Sequence, residues 1–323
     1  MTDLPLVSQP TFHRRWYWWT MIIVILALVI WYVVLVVGVY MLHWQGAKTQ
    51  AVIRFTPLPI ATLNWRPLSV ASFLNKRTAI EHYNTYLAGT TSGTYQTGQN
   101  SGATTVTQMV RTLESEKLIK KFGITVSTND VEQAYQAQLL QNGNPDQVAS
   151  TIKQLYGWSL DEFKQNVIRS VMLRDKLQEK LSFDVKLSGS AKKQADEVLA
   201  LVKADPKKFG ELAKKYSEDA YGASNGDLGF VTQGEQVKEI DDAAFSVGIN
   251  DISDVIHTKY GYHIIQPLER KTVDGQDQVH LLQITILAPQ VDDYITEQLK
   301  SSRVMVFDSR LRWNSKTGQA VAK

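Results

Sequence analysis

From Met21 to Leu42 the chain runs apolar without a single charged side chain. As a helix this run is about 33 Å long, enough to cross the hydrocarbon core of a bilayer. No polar stripe interrupts it, as a soluble core helix would require. Trp16, Tyr17, Trp18 and Trp19 crowd one end and Tyr40 and Trp44 the other, the pattern of an interfacial belt. Arg14 and Arg15 directly before the run favour a cytoplasmic N-terminus, although Lys48 and Arg54 follow it. The run is too long for the apolar part of a cleaved signal, and no small-x-small site follows Leu42. The pattern therefore predicts a cytoplasmic tail over 1–15 and an uncleaved signal anchor over 16–44, with the lipid bilayer as its partner. The protein is expected to be a single-pass protein of the cell membrane with its bulk outside the cytoplasm.

Beyond the anchor the pattern turns to capped amphipathic helices. Pro57, Pro59 and Pro67 make Ala51–Leu68 an extended stretch. Ser69 caps a helix whose apolar positions are Val70, Phe73, Leu74, Ile80, Tyr83 and Leu87. Ala88–Thr105, rich in Gly, Thr, Ser and Gln, has no periodicity and reads as a loop. A second helix carries Val106, Met109, Val110 and Leu113 on one face and ends at Gly123, with Ile124 placed for the contact that accompanies a glycine C-cap. Ser127 with Asp130 opens a third helix, which stops at Asn142-Gly143, and a fourth spans Pro145–Tyr156. Ser159 and Glu162 form a capping box before a long helix with Leu160, Phe163, Val167, Val171, Leu177 and Leu181 on its apolar face.

After Leu181 the signals become mixed. Asp205-Pro206 opens a helix. "NGDLG" is a tight glycine turn and "GYHIIQPLE" alternates as a strand. Asp274-Gly275 is a turn dipeptide leading into a second strand, Gln278–Ile286. A helix over Val291–Ser301 and a strand over Val304–Phe307 follow, and Asn314–Lys323 reads as a frayed end.

Composition narrows the classes. The 323 residues suit about two domains plus extras. Charged residues make up 21% and the net charge is only +3, with no basic block interleaved with aromatics, so nucleic acid is excluded as a partner. Cysteine is absent, which removes disulfides, thiol nucleophiles, thiolate metal sites and a lipid-modified cysteine.

The pieces "FTPLPIATLN", "LIKKFGITVSTNDVEQAY" and "YGWSLDEFKQNVIRSVMLRDKL" resemble, in order and spacing, the N-terminal region of SurA- and PrsA-like extracytoplasmic chaperones. The resemblance implies an α-helical chaperone region over 45–181 that binds unfolded polypeptide.

"FGELAKKYSEDAYGASNGDLGF", "DDAAFSVGINDIS" and "HTKYGYHIIQPLER" resemble the parvulin (PpiC-type) prolyl isomerases block by block. They imply an α/β (α+β) domain with a small antiparallel sheet over 182–289, followed by a helix-strand tail over 290–323. Prolyl isomerisation crosses a barrier of about 18–20 kcal/mol set by amide resonance, and needs no nucleophile, metal or cofactor. An enzyme lowers it by favouring the twisted amide over the planar one. By motif, the resemblance implies Asp219, Thr258 and His263 as the polar catalytic set. It places Leu228, Gln236, Ile240, Phe245 and Tyr260 at the proline-binding wall. Gln236 and Ile240 stand where the family carries Met and Phe. The first-strand His-Ile-Leu motif is missing, and "FDVKLSG" offers Lys186 at that place. The loss is expected to break the network that orients His263 and Asp219. The strand at 278–286 echoes the missing one, with Gln283 at the His place; it either pairs in the same sheet or is a remnant of a second copy. His257 and His280 belong to no constellation and read as ordinary surface or sheet residues. Three functions compete: a foldase-chaperone binding unfolded or proline-containing polypeptides, an active isomerase, and a non-enzymatic scaffold of the export machinery.

Overall fold

The computed structural model describes residues 13–44, 46–56, 58–90, 101–142 and 144–323. Residues 1–12 of the tail expected over 1–15, Gln45, Pro57, most of the loop over 88–105 and Gly143 lie outside the described residues. In chain order the elements are α1 (His13–Tyr40), α2 (Ala47–Ile53), β1 (Pro59–Leu63), β2 (Arg66–Ser69), α3 (Val70–Thr90), α4 (Ser101–Lys121), α5 (Thr128–Asn142) and α6 (Pro145–Tyr156). Then follow α7 (Leu160–Phe163), a π-turn (Lys164–Ile168), α8 (Arg169–Phe183), α9 (Val185–Ala204), α10 (Phe209–Tyr216), β3 (Asp227–Thr232), α11 (Lys238–Ser246) and β4 (Ile256–Thr258). The chain closes with β5 (Gly261–Val273), β6 (Gln276–Leu287), α12 (Val291–Lys300), β7 (Val304–Val306), β8 (Leu311–Asn314) and β9 (Gln319–Ala322).

The described residues form two compact units, one drawn from 13–81, 101–110 and 302–323, the other from 82–90 and 111–301. The first contains α1, whose segment Tyr17–Tyr40 is long and apolar enough to cross a membrane. The Tyr40 hydroxyl donates to the Pro59 carbonyl at 2.6 Å, and its ring lies 6.2 Å from that of Phe307. A three-stranded sheet runs β2-β1-β7, so a strand near the N-terminus pairs with one near the C-terminus. The expected extended stretch 51–68 is thus a short helix end followed by a hairpin. The prolines constrain only their own neighbourhoods, and Ala47–Ile53 contains none. Residues 101–105 are helix rather than loop: the buried face of Val106, Met109 and Val110 extends back to Ala103, and the hydroxyls of Thr105 and Thr107 find acceptors in the carbonyls of Ser101 and Ala103. The C-terminus is not frayed: β8 pairs with β9, and the Ala320 N–H donates to Thr107 Oγ1.

In the second unit the predicted caps form. Ser127 and Asp130 bond reciprocally, as do Ser159 and Glu162. Gly123 takes φ +67°, and the Ile124 N–H returns to the Ile119 carbonyl. The apolar face predicted after the second box is displaced. The π-turn inserts one residue, so Ile168 and Met172 reach the cluster of Val126, Val131, Tyr135 and Leu139. Val167 falls beside it and Val171 is 56% exposed. No strand forms at "FDVKLSG"; Asp184 caps α9 through the Lys186 N–H, and Lys186 is a surface residue in its first turn.

The boundary expected at 182 falls inside the second unit. Leu177 and Leu181 of α8 are fully buried. Gln178 bonds the carbonyls of Lys259 and Pro289 and accepts from the Val291 N–H. The tail expected over 290–323 divides too, with α12 in this unit and β7–β9 in the first.

Candidate functional site

A four-stranded antiparallel sheet, order β3-β6-β5-β4, organises the second half of this unit. β6 pairs with β5 across the Asp274-Gly275 hairpin, which settles where the strand at 278–286 goes. Because side chains alternate along a strand, the two faces separate cleanly. One carries Tyr262, Ile264, Ile284 and Ile286, packed under α9 and α10. The other carries His263, Thr285 and Gln283, then Ile265, Leu281 and Val279, the last three packed with Ile240 and Ala244 of α11.

His263 sits between two hydroxyls. Its Nε2 is 2.9 Å from Thr258 Oγ1 and its Nδ1 is 3.2 Å from Thr285 Oγ1. Thr285 Oγ1 donates to Asp219 Oδ2 at 2.6 Å and accepts from Gln283 Nε2 at 2.9 Å. Gln283 Nε2 also donates to Asp219 Oδ2, at 3.1 Å. Asp219 Oδ1 accepts from Ser217 Oγ and from the N–H groups of Tyr221 and Gly222. The loop carrying Asp219 is held by Gly226, whose φ is +79° and whose added Cβ would lie 2.4 Å from the Gln283 carbonyl oxygen.

The hydrogen count fixes the proton order. The single Thr285 hydroxyl proton goes to Asp219, so His263 carries its proton on Nδ1 and gives it to Thr285. Nε2 then accepts from the Thr258 hydroxyl, which itself accepts from the Tyr260 N–H. The ring is neutral. Burial pushes its pKa down to about 4, a shift opposed by Asp219 and assisted by His257. The only buried polar side-chain atom of the network without a partner, among the described residues, is Gln283 Oε1.

Residues 163–271 match the family model of the PPIC-type PPIASE domain. The chain carries a parvulin-type domain. It also resembles PrsA foldases. Foldase protein PrsA of Staphylococcus epidermidis (strain ATCC 35984) is 31% identical over 176 residues, covering 46% of this chain and 54% of that protein. Foldase protein PrsA of Staphylococcus aureus (strain MRSA252) is 28% identical over 200 residues, covering 50% and 62%. The chain thus spans little more than half the length of the relatives it matches. A crystal structure of the peptidylprolyl isomerase PrsA from Bacillus anthracis aligns to 59% of this chain and 86% of that one, at 21% identity and a TM-score of 0.22.

Within the parvulin-type domain, Asp219, Thr258 and His263 meet in one network. Leu228 and Phe245 are partly buried over Ile240 in the apolar cluster of the same face. Ile240 is only 2% exposed, so it forms the floor of that cluster. Gln236 is half-buried in the segment before α11, and the Tyr260 ring is 42% exposed; neither side chain joins the network. The expectation of a broken network is overturned. β6 supplies Gln283 and Thr285, both beyond the matched segment, and the network closes through them. Thr285 and Ser217 escaped the sequence reading, because a threonine in an alternating strand reads as a β-former; its spacing of two from Gln283 was the available signal.

His257 and His280 also have partners. His257 stacks on Tyr262 at 4.2 Å, contacts the Phe183 ring and bonds Ser182 Oγ at 3.0 Å, and its pKa is lowered by burial. Ser182 Oγ donates in turn to the Thr258 carbonyl. His280 pairs with Asp227 at 2.8 Å and lies against the Phe230 ring.

Proposed function

We propose that this protein is a membrane-anchored, extracytoplasmic foldase that holds unfolded polypeptides and isomerises prolyl bonds only slowly. The helices between α4 and α8 are its chaperone region, α1 is its anchor, and the parvulin-type site uses His263, Asp219 and Thr258. The observation that carries the balance between holding and isomerising is the closed hydrogen-bond count around His263. A twisted prolyl amide develops a basic nitrogen and is favoured by a hydrogen-bond donor. Thr258, His263, Thr285 and Gln283 already spend every donor on one another or on Asp219, leaving only the acceptor Gln283 Oε1. The apolar patch of Leu228 and Phe245 can still hold proline. Gln236 near it weakens that grip, because an amide beside an apolar ring must find a partner or stay wet.

A second reading, an active isomerase, is favoured by the unbroken connection of His263 to Asp219 through Thr285. A scaffold of the export machinery is separated by a simple assay. The full-length chain is expected to suppress aggregation of a reduced, unfolded client at near-stoichiometric ratio, and His263→Ala is expected to suppress it equally. No suppression by either protein would favour the scaffold.

A further inference from the structure

The two compact units differ sharply in charge. Beyond α1 the first carries ten Lys and Arg residues against two Asp and Glu, whereas the second carries 23 against 29. Between Leu42 and Glu81 there are five bases and no acid. Such asymmetry within one chain points to an anionic surface as partner of the basic part. The two acids of the first unit are already engaged, Glu81 with Arg77 and Asp308 with Arg310. Lys48 and Arg54 are exposed and have no acidic partner among the described residues.

Arg54 also lines a cavity of about 280 Å³ between α2 and the start of α3. Gln50 and Asn75 add amide groups, and Ala51, Ile53, Ala71 and Leu74 complete the wall. Tyr40, the last residue of α1, fixes how far this cavity lies from the apolar span. Its hydroxyl bonds the Pro59 carbonyl, and its own carbonyl accepts from Ser309 Oγ. Pro59 follows Arg54 by five residues, a reach of at most about 18 Å. Turns closed by the N–H groups of Phe55, Thr56 and Leu58 shorten it. The same segment leaves apolar side chains in solvent: Phe55 is 87% exposed, and Met41, Leu42 and Trp44 are exposed as well.

We infer that the cavity between α2 and α3 holds the headgroup of an anionic phospholipid, laying the first unit on the bilayer surface. Arg54 pairs with the phosphate, because a guanidinium presents several donors to its oxygens. Gln50 and Asn75 bond the headgroup hydroxyls, and Phe55 enters the interface, where aromatic rings settle. Lys48 adds attraction to the negative surface. A soluble polyanion would use the bases but would leave Phe55, Met41 and Leu42 in water; a lipid surface uses both. The inference rests on the reading of α1 as the anchor and adds a second lipid contact outside the span.

The chain has no cysteine, so Phe55→Cys can be labelled uniquely with a polarity-sensitive dye. The labelled full-length protein is placed in nanodiscs of phosphatidylcholine, alone or mixed with phosphatidylglycerol, with a headgroup-spin-labelled lipid as quencher. The dye is expected to shift to the blue and be quenched only with phosphatidylglycerol. Arg54→Gln is expected to lower the ratio of quenched to unquenched dye about fivefold. Asn75→Ala is expected to lower it too, whereas Arg312→Gln, a base of the same unit that does not line the cavity, leaves it unchanged. Equal quenching in the two lipids, or an equal loss in Arg312→Gln, overturns the inference. So does a larger dye response to soluble polyphosphate in phosphatidylcholine discs, which would assign the bases to a polyanion. Flotation with phosphatidylcholine vesicles tests the anchor separately. Failure to float contradicts the anchor reading; flotation without lipid-dependent quenching contradicts only this site.

Discussion

His263 shows how much one side chain can reveal at the residue scale. Its motif made it a candidate with Thr258 and Asp219, and the three do meet. What the motif did not disclose is the company of Thr285 and Gln283, which come from a strand that pairs late in the chain. The depressed pKa has a thermodynamic consequence. The ring's folded-state value of about 4 lies below the ordinary 6.5. Between those pH values the unfolded chain binds a proton that the folded chain refuses. Stability from this site is therefore full above about pH 6.5 and is lost as pH falls toward 4, by on the order of 3 kcal/mol. Urea unfolding of wild type and of His263→Gln at pH 7 and pH 5 checks this. The wild type is expected to lose more stability than the variant on acidification. An identical loss in both would show that the ring titrates freely.

Among the elements, caps were legible and register was not. Ser127, Ser159 and Gly123 announce helix ends by local chemistry, and those ends form. Two positions on the face of the long helix, Val167 and Val171, were misread because the π-turn adds one residue without altering the apolar composition that periodicity measures. "FDVKLSG" became helix because Asp184 caps it and a different strand occupies the sheet. That strand, β6, lies between β3 and β5, so it supplies the central pairing of the sheet. A fragment ending at 275, close to the end of the matched family segment, would leave β3 without its partner and His263 without Thr285. It is expected to lack a cooperative thermal transition, whereas a fragment over 163–301 shows one. Cooperative unfolding of both, followed by circular dichroism, would remove β6 from its structural role.

At the scale of the whole molecule, the sequence pattern suggested consecutive domains, and the chain instead interleaves them. β1 pairs with β7 across more than two hundred residues, a long-range closure that no local pattern encodes. The α8 helix likewise serves both the helical region and the sheet, through Gln178, Leu181 and Ser182. The long apolar helix α1, by contrast, was legible from composition alone, because its run over 21–42 carries no charged side chain. The proposed topology predicts that protease added to intact spheroplasts digests the bulk of the chain; protection until lysis would contradict it. On the proposed function, a self-satisfied polar network leaves this parvulin-type site slow. The direct measurement is turnover of a proline tetrapeptide by the full-length protein and by His263→Ala. Wild-type turnover less than about tenfold above the variant is the predicted result, since losing a hydrogen-bonding group that stabilises a transition state typically costs about 100-fold or more. Robust turnover that collapses by that larger factor on substitution would contradict the account.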